Sequence, residues 1–230
     1  MLHNLFIHAP NVHQGGGRSL LTAIIEVLPK EVVSILSLDE RMPLPEGMGK
    51  KIKTRRVKPS FVERFAIERW LASMVERGDV VLCFGNLPPL FKLRGHVILY
   101  IQNRYLVDDV KFSDSSIKIK LKFWLERLWL YSRLSNADEI IVQTPSMKAL
   151  IEIRTKGKIP VEVLPFIDAN NSISRKIRLF DSEKDKEFDF LYVASGETHK
   201  NHRSLIKAWC LLAKEGLFPS LKLTLDTLQF

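Results

Sequence analysis

The strongest constraint on this chain is an alternation. Short apolar runs recur along it, and longer amphipathic segments separate them. Leu5–His8, Val32–Leu38, Val80–Phe84, Val97–Ile101, Glu139–Gln143 and Val161–Leu164 read as strands, with a shorter strand over Lys51–Val57. Helical periodicity predicts helices over Gly17–Leu28, Phe61–Glu76, Ser116–Leu134 and Pro145–Glu152, with Ser60 as the N-cap of the second. Val80–Phe84 is apolar throughout, as expected of a strand covered on both faces of a parallel sheet. Strand–helix–strand repeats close through right-handed crossovers, so the pattern points to an α/β fold with a doubly wound parallel sheet.

Asn170–Lys186 breaks the alternation. It is poor in apolar residues and leads into the run Asp-Ser-Glu-Lys-Asp-Lys-Glu, the composition of a linker. The pattern then restarts with a strand over Phe188–Ala194, a helix over His202–Glu215 and a strand over Leu221–Leu225. The expected organisation is one complete Rossmann-like domain over residues 1–169, a linker over 170–186, and the first β-α-β unit of a second Rossmann-like domain over 187–230. A single such unit cannot bury both faces of its sheet, so the expectation is a second domain begun and not finished.

Composition removes several classes. At 46% hydrophobic and 27% charged, the chain is neither collagen-like nor wholly disordered. No apolar run approaches the roughly 20 residues of a membrane-spanning helix, and the N-terminus lacks a signal-peptide pattern. Cys83 and Cys210 are too few and too far apart for a disulfide framework or a metal site. These features read as a cytoplasmic protein, at most peripheral on the inner face of the plasma membrane. The net charge of +9 favours anionic partners, namely a phosphorylated small molecule, nucleic acid or an anionic membrane surface. Nucleic acid is not expected, because no recognised nucleic-acid motif is present.

Two loops carry the candidate chemistry. The first, within His8–Ser19, joins the first strand to the first helix and contains Gly15, Gly16 and Gly17. Glycines there let backbone N–H groups approach an anion at a helix N-terminus, at the strand end where open α/β sheets bind ligands. Leu20 stands where a dinucleotide fingerprint needs its third glycine, and no Gly-Lys-Ser/Thr follows, so neither a Rossmann fingerprint nor a P-loop is present. The second loop, within Phe190–Trp209, again joins a strand to a helix, and places Lys200 and Arg203 where they would neutralise phosphate. No Gly-x-Ser-x-Gly elbow supports a hydrolase, and the six histidines lack zinc-site spacing.

The sequence His199-Lys-Asn-His202 followed by Leu205-Ile-x-Ala208 resembles the start of the C-terminal domain of retaining glycosyltransferases of the GT-B fold, family four (glycosyl transferases group 1). Gly15–Gly17 resemble that family's N-terminal glycine loop. Ala137–Lys148 resembles its Ala-Asp-x-Ile-Ile-x-x-Ser segment, and Val163–Phe166 the segment that closes its first domain. The resemblance implies a GT-B fold and transfer of a sugar from a nucleotide-diphosphate sugar to a saccharide or lipid-linked saccharide acceptor, in bacterial cell-surface polysaccharide or lipopolysaccharide synthesis. It implies no metal and no cofactor beyond the donor substrate. By the same resemblance Lys200 contacts the donor diphosphate, and Ser195 replaces the arginine usually paired with it, leaving Arg203 as a substitute. Gln102 and Asn103 stand where many relatives carry a histidine beside the transferred sugar. The family's late Glu-x7-Glu pair is not reached before Phe230, so the expectation is a truncated form, inactive alone. The alternative is a non-catalytic fragment serving as an acceptor- or membrane-surface-binding module.

A last segment stands apart. Lys111–Arg133 holds six cations against two acids, with Lys118, Lys120 and Lys122 close to Trp124 and Trp129. That pattern suits either an anionic membrane interface or a core-packing helix with snorkelling lysines. A second basic block, Lys50–Lys58, contains no acid and reads as the same surface or as a solvated strand edge.

Overall fold

The computed structural model describes residues 4–29, 32–44, 52–108, 117–165, 187–194, 196 and 200–225, without the side chains of Lys118 and Ile119. The chain divides into two compact units, whose described residues are 4–165 and 187–225.

The first unit is built on seven strands: β1 (Leu5–Ala9), β2 (Ser34–Asp39), β3 (Ile52–Val57), β4 (Val80–Cys83), β5 (His96–Ile101), β6 (Glu139–Val142) and β7 (Val161–Val163). All neighbouring pairs are parallel, in the order β3-β2-β1-β4-β5-β6-β7. Among the described residues four helices connect them: α1 (Gly15–Glu26), α2 (Phe61–Met74), α3 (Ile117–Arg133) and α4 (Pro145–Thr155). The α/β expectation therefore holds, and the strands fall close to their sequence-predicted positions.

Residue periodicity sorts the core into two clusters. Along β1, Phe6 joins Leu71 of α2, Leu99, Leu130 of α3 and Ile151 of α4. Its neighbours Ile7 and Ala9 join Leu21 and Ile25 of α1, Leu36, Phe84 and Tyr100. The alternation is the two-residue period of a strand whose faces are both covered. Local chemistry fixes the helix ends. Ser60 Oγ accepts a hydrogen bond from Glu63 N at 3.2 Å, and Thr144 Oγ1 accepts one from Met147 N at 3.3 Å with Pro145 behind it. Lys156, at φ 53°, ends α4 in the left-handed conformation.

The second unit holds β8 (Phe190–Tyr192), α5 (His202–Lys214) and β9 (Leu221–Leu223). β8 and β9 pair in parallel as a separate two-stranded sheet. Asp189 and Ser220 clasp the strand entrances: Asp189 N donates to Ser220 Oγ at 2.7 Å, and Ser220 N donates to Asp189 Oδ2 at 2.8 Å. Trp209 of α5 donates to Pro219 O at 2.7 Å and packs edge-on against Phe190.

Candidate ligand site at the carboxyl rim of the first sheet

Connections from β1 run outward to β2 and β3, while those from β4 run the other way to β5, β6 and β7. β1 and β4 are nevertheless paired. Their carboxyl ends are therefore the topological switch point, the place where open α/β sheets hold ligands.

The β1 and β4 loops meet there. Asn11 Nδ2 donates to Gly85 O at 2.9 Å, and a Cβ on Gly85 would lie 1.9 Å from Asn11 Oδ1, so this approach requires glycine. The next residue, Asn86, sits at φ 65°, a conformation asparagine tolerates better than most. Its Oδ1 accepts hydrogen bonds from both Gln102 N and Asn103 N at 2.8 Å, which ties the β4 loop to the end of β5. Phe84 and Tyr100, two residues before Asn86 and Gln102, are buried and stacked with centroids 4.8 Å apart and planes 9° off parallel. Burial pushes the Tyr100 hydroxyl up to about 12, against an opposing hydrogen bond with the Gln143 side chain.

The glycines differ from their expected placement. The helix begins two residues before its expected start at Gly17, so Gly15 and Gly16 join Gly17 in the first turn of α1, with Gln14 as N-cap and Gly15 at φ 62°. The free N–H groups of that turn and the helix dipole make the spot attractive to anions. Gly17 also faces the end of β5, where an added Cβ would lie 2.9 Å from Gln102 Nε2.

At the end of β2, buried Asp39 accepts from Arg41 Nε at 2.8 Å and from a terminal guanidinium nitrogen at 2.7 Å, and its Oδ2 lies 3.7 Å from His13 Nδ1. Burial alone would raise this carboxyl, but the Arg41 fork outweighs it and holds Asp39 below its ordinary value.

An ionic latch braces the rim from inside. His8 of β1 meets Glu68 of α2 at 2.9 Å, Arg64 bridges the same carboxylate oxygen at 2.9 Å, and Leu90 N donates to the other oxygen at 2.8 Å. Burial pulls the His8 pKa down, so the ring is neutral and its Nε2–H is the donor. Burial would push Glu68 up, but His8, Arg64 and the Leu90 amide together hold it at about 2.

Of the residues singled out in the sequence, the structure brings Gly17 and Gln102 together. Asn103 is at the same strand end, but its Oδ1 caps a 3-10 turn by accepting from Tyr105 N at 3.0 Å. Lys200 and Arg203 belong to the second unit. The Lys200 carbonyl accepts from the Tyr192 hydroxyl at 2.7 Å, and Arg203 is exposed in the first turn of α5. Ser195 and His199 lie outside the described residues. Trp129 is a correction: it is half-buried, donates to Pro88 O at 3.0 Å and lies under the Arg64 guanidinium, so it packs inward and does not face a membrane. Asn11, Gly85, Asn86, Asp39 and the latch were not anticipated. A signal existed for two of them, since Gly85-Asn86 directly follows an uninterrupted apolar strand. Among the described residues, no group of three or more His, Cys, Asp or Glu side chains is placed to hold a metal ion.

No protein-family model matches the chain, and no curated protein matches it. Among solved structures, one described as "Structure of Phytolacca americana apo UGT2" aligns with it at a TM-score of 0.47 and 14% identity. The alignment covers 84% of this chain, which spans 57% of the length of that one.

Proposed function

We propose that the chain serves sugar transfer from a nucleotide-diphosphate sugar to a saccharide acceptor, the chemistry implied by its resemblance to family-four GT-B glycosyltransferases. The observation that carries this reading is the approach of Gly17, in the first turn of α1, to Gln102 at the carboxyl rim of the sheet. An anion-attracting helix end beside a carboxamide is a chemistry that suits a phosphorylated, polyhydroxylated ligand.

In this reading Gln102 and Asn103 orient sugar hydroxyls, and the Gly15–Gly17 amides contribute favourable potential. Lys200 and Arg203 neutralise the donor diphosphate. With a retained configuration, the leaving phosphate accepts the proton of the attacking hydroxyl as the glycosidic bond to phosphate breaks and the bond to the acceptor forms. The protein's part is then electrostatic, stabilising charge as it grows on the leaving group.

Calorimetric titration of the chain with a panel of nucleotide-diphosphate sugars tests the assignment. Lys200→Ala is expected to weaken donor binding by about tenfold or more, the scale of a lost charge-assisted contact. Donor affinity equal in Lys200→Ala and the unaltered chain would remove Lys200 from the site.

A further inference from the structure

We propose that the outer face of α3 docks on an anionic lipid bilayer. Five apolar side chains of this helix, Ile117, Leu121, Trp124, Leu125 and Leu128, are exposed, from 42% at Leu125 to 84% at Ile117. Their spacing of four, three, one and three residues puts them on one continuous helical stripe. Soluble surfaces rarely leave a contiguous apolar stripe of this kind without a use.

The stripe is what remains after the helix has been fastened. On one side, Arg127 donates to the Tyr105 and Asp108 carbonyls, and Tyr131 donates to Leu106 O at 3.0 Å. On the other, Trp129 donates to Pro88 O. Leu130 is fully buried beneath. With both flanks pinned, the helix presents the apolar stripe outward from a rigid body. The adjoining α2, whose Arg64 lies over Trp129, adds Phe61 and Val62 at 89% and 79% exposure.

Charge selects the occupant. Lys120 and Lys122 are exposed beside the stripe, and helical register puts position 118 at its other margin from Lys120. The only acid of the helix, Glu126, is half-buried, 3.9 Å from Lys122 and on the Arg64 side. A second copy of the chain, packed through the same face, would set these lysines against one another. An anionic headgroup layer matches them while the apolar stripe enters the acyl boundary, the arrangement of interfacial amphipathic helices. Among the described residues no helix is long and apolar enough to cross a membrane, so the contact is a surface one. The inference is independent of sugar transfer.

The test is co-sedimentation of the full chain with phosphatidylcholine vesicles, alone or with about 30 mol% phosphatidylglycerol. Binding to the anionic vesicles is expected to exceed neutral binding by about tenfold and to fall several-fold between ~0.1 and ~0.5 M salt. Leu121→Glu/Leu128→Glu is expected to lose binding about tenfold at an unchanged melting temperature, because both side chains are exposed. Brominated lipids should quench tryptophan fluorescence in the unaltered chain and much less in Trp124→Phe. Three results would overturn the proposal: no preference for anionic vesicles, equal binding by the double variant, or self-association that the double variant abolishes while vesicles bind neither form. Vesicle binding without donor binding would leave this inference standing and the sugar-transfer reading fallen.

Discussion

The two units run the same local grammar to opposite ends. In the first, strands β4 and β5 bury Val81, Cys83, Val97 and Leu99 completely. In the second, β8 leaves Phe190 and Leu191 about half exposed, and α5 contains no buried residue at all although its sequence is amphipathic. A β-α-β unit has an apolar face by construction, but burial is a property of the neighbours that close over it. What holds the second unit together is more local and more polar: the Asp189–Ser220 clasp, the Trp209–Pro219 hydrogen bond and the Phe190–Trp209 edge contact.

The sharpest way to break this comparison is to truncate an apolar side chain to alanine on each side. Phe84→Ala removes a fully buried ring stacked on Tyr100, and is expected to cost about 3–5 kcal/mol. Leu211→Ala on α5, where the side chain is 61% exposed, should change stability by less than about 0.5 kcal/mol. Urea denaturation followed by circular dichroism measures both. Similar losses would mean that the second unit buries its helix as the first does.

The next largest effect is expected at the latch. Glu68→Gln keeps the shape but removes the charge that faces Arg64 and accepts from His8 and Leu90. Breaking a buried pair from one side costs about 3 kcal/mol or more, because the remaining charge is left uncompensated. Glu187→Gln, which severs an exposed pair with Lys222 in the second unit, should be nearly silent.

The latch also gives the first unit a pH dependence with a definite sign. Burial keeps folded His8 neutral. As pH drops below about 6.5, the unfolded chain therefore takes up a proton that the folded chain refuses, and stability falls. Glu68 adds a second window. Its folded value of about 2 lies below its ordinary 4.5, so its contribution is intact above about pH 4.5 and is lost as pH falls towards 2. Denaturation midpoints between pH 8 and pH 2 should decline in both windows, and His8→Asn should flatten the upper one while the lower persists. A decline that His8→Asn leaves untouched would place the sensitivity elsewhere.

The framework was readable from sequence because β-branched and aliphatic runs bounded by turn residues leave few alternatives to buried parallel strands. The latch was not, because His8 and Glu68 are sixty residues apart and a histidine beside an apolar run carries no mark of its partner. Asn86 illustrates a second limit. Its side chain joins two strand ends through backbone amides, and such contacts depend on loop geometry that side-chain identity does not encode. The start of α1 was placed two residues late because glycine is a weak helix former, whereas the first turn of a helix needs dihedrals more than propensity. For Trp129 the flanking cations leave a membrane interface and core packing both open in the sequence, and the half-buried ring decides for packing. The structure uses one cation, Arg64, to cover the ring from inside.

Gly17→Ala separates holding the fold from using it. Gly17 lies in the first turn of α1 with an ordinary φ, unlike Gly15 at φ 62°. Gly17→Ala therefore gains helix propensity worth up to about 1 kcal/mol. The new methyl group lies 2.9 Å from Nε2 at the far end of the Gln102 side chain and 3.4 Å from Val12 Cγ1, an ordinary van der Waals approach, and a flexible carboxamide moves aside cheaply. The melting temperature should hold or rise slightly. Ligand binding should move the other way, because the methyl group displaces the carboxamide that we assign to a sugar hydroxyl and adds bulk beside the α1 amides. A several-fold weaker saccharide titration with an unchanged melt would show that the rim of the first unit, like the exposed helix of the second, is not what keeps its sheet folded. A weaker melt with unchanged binding would instead make Gln102 a structural brace and remove it from the ligand site.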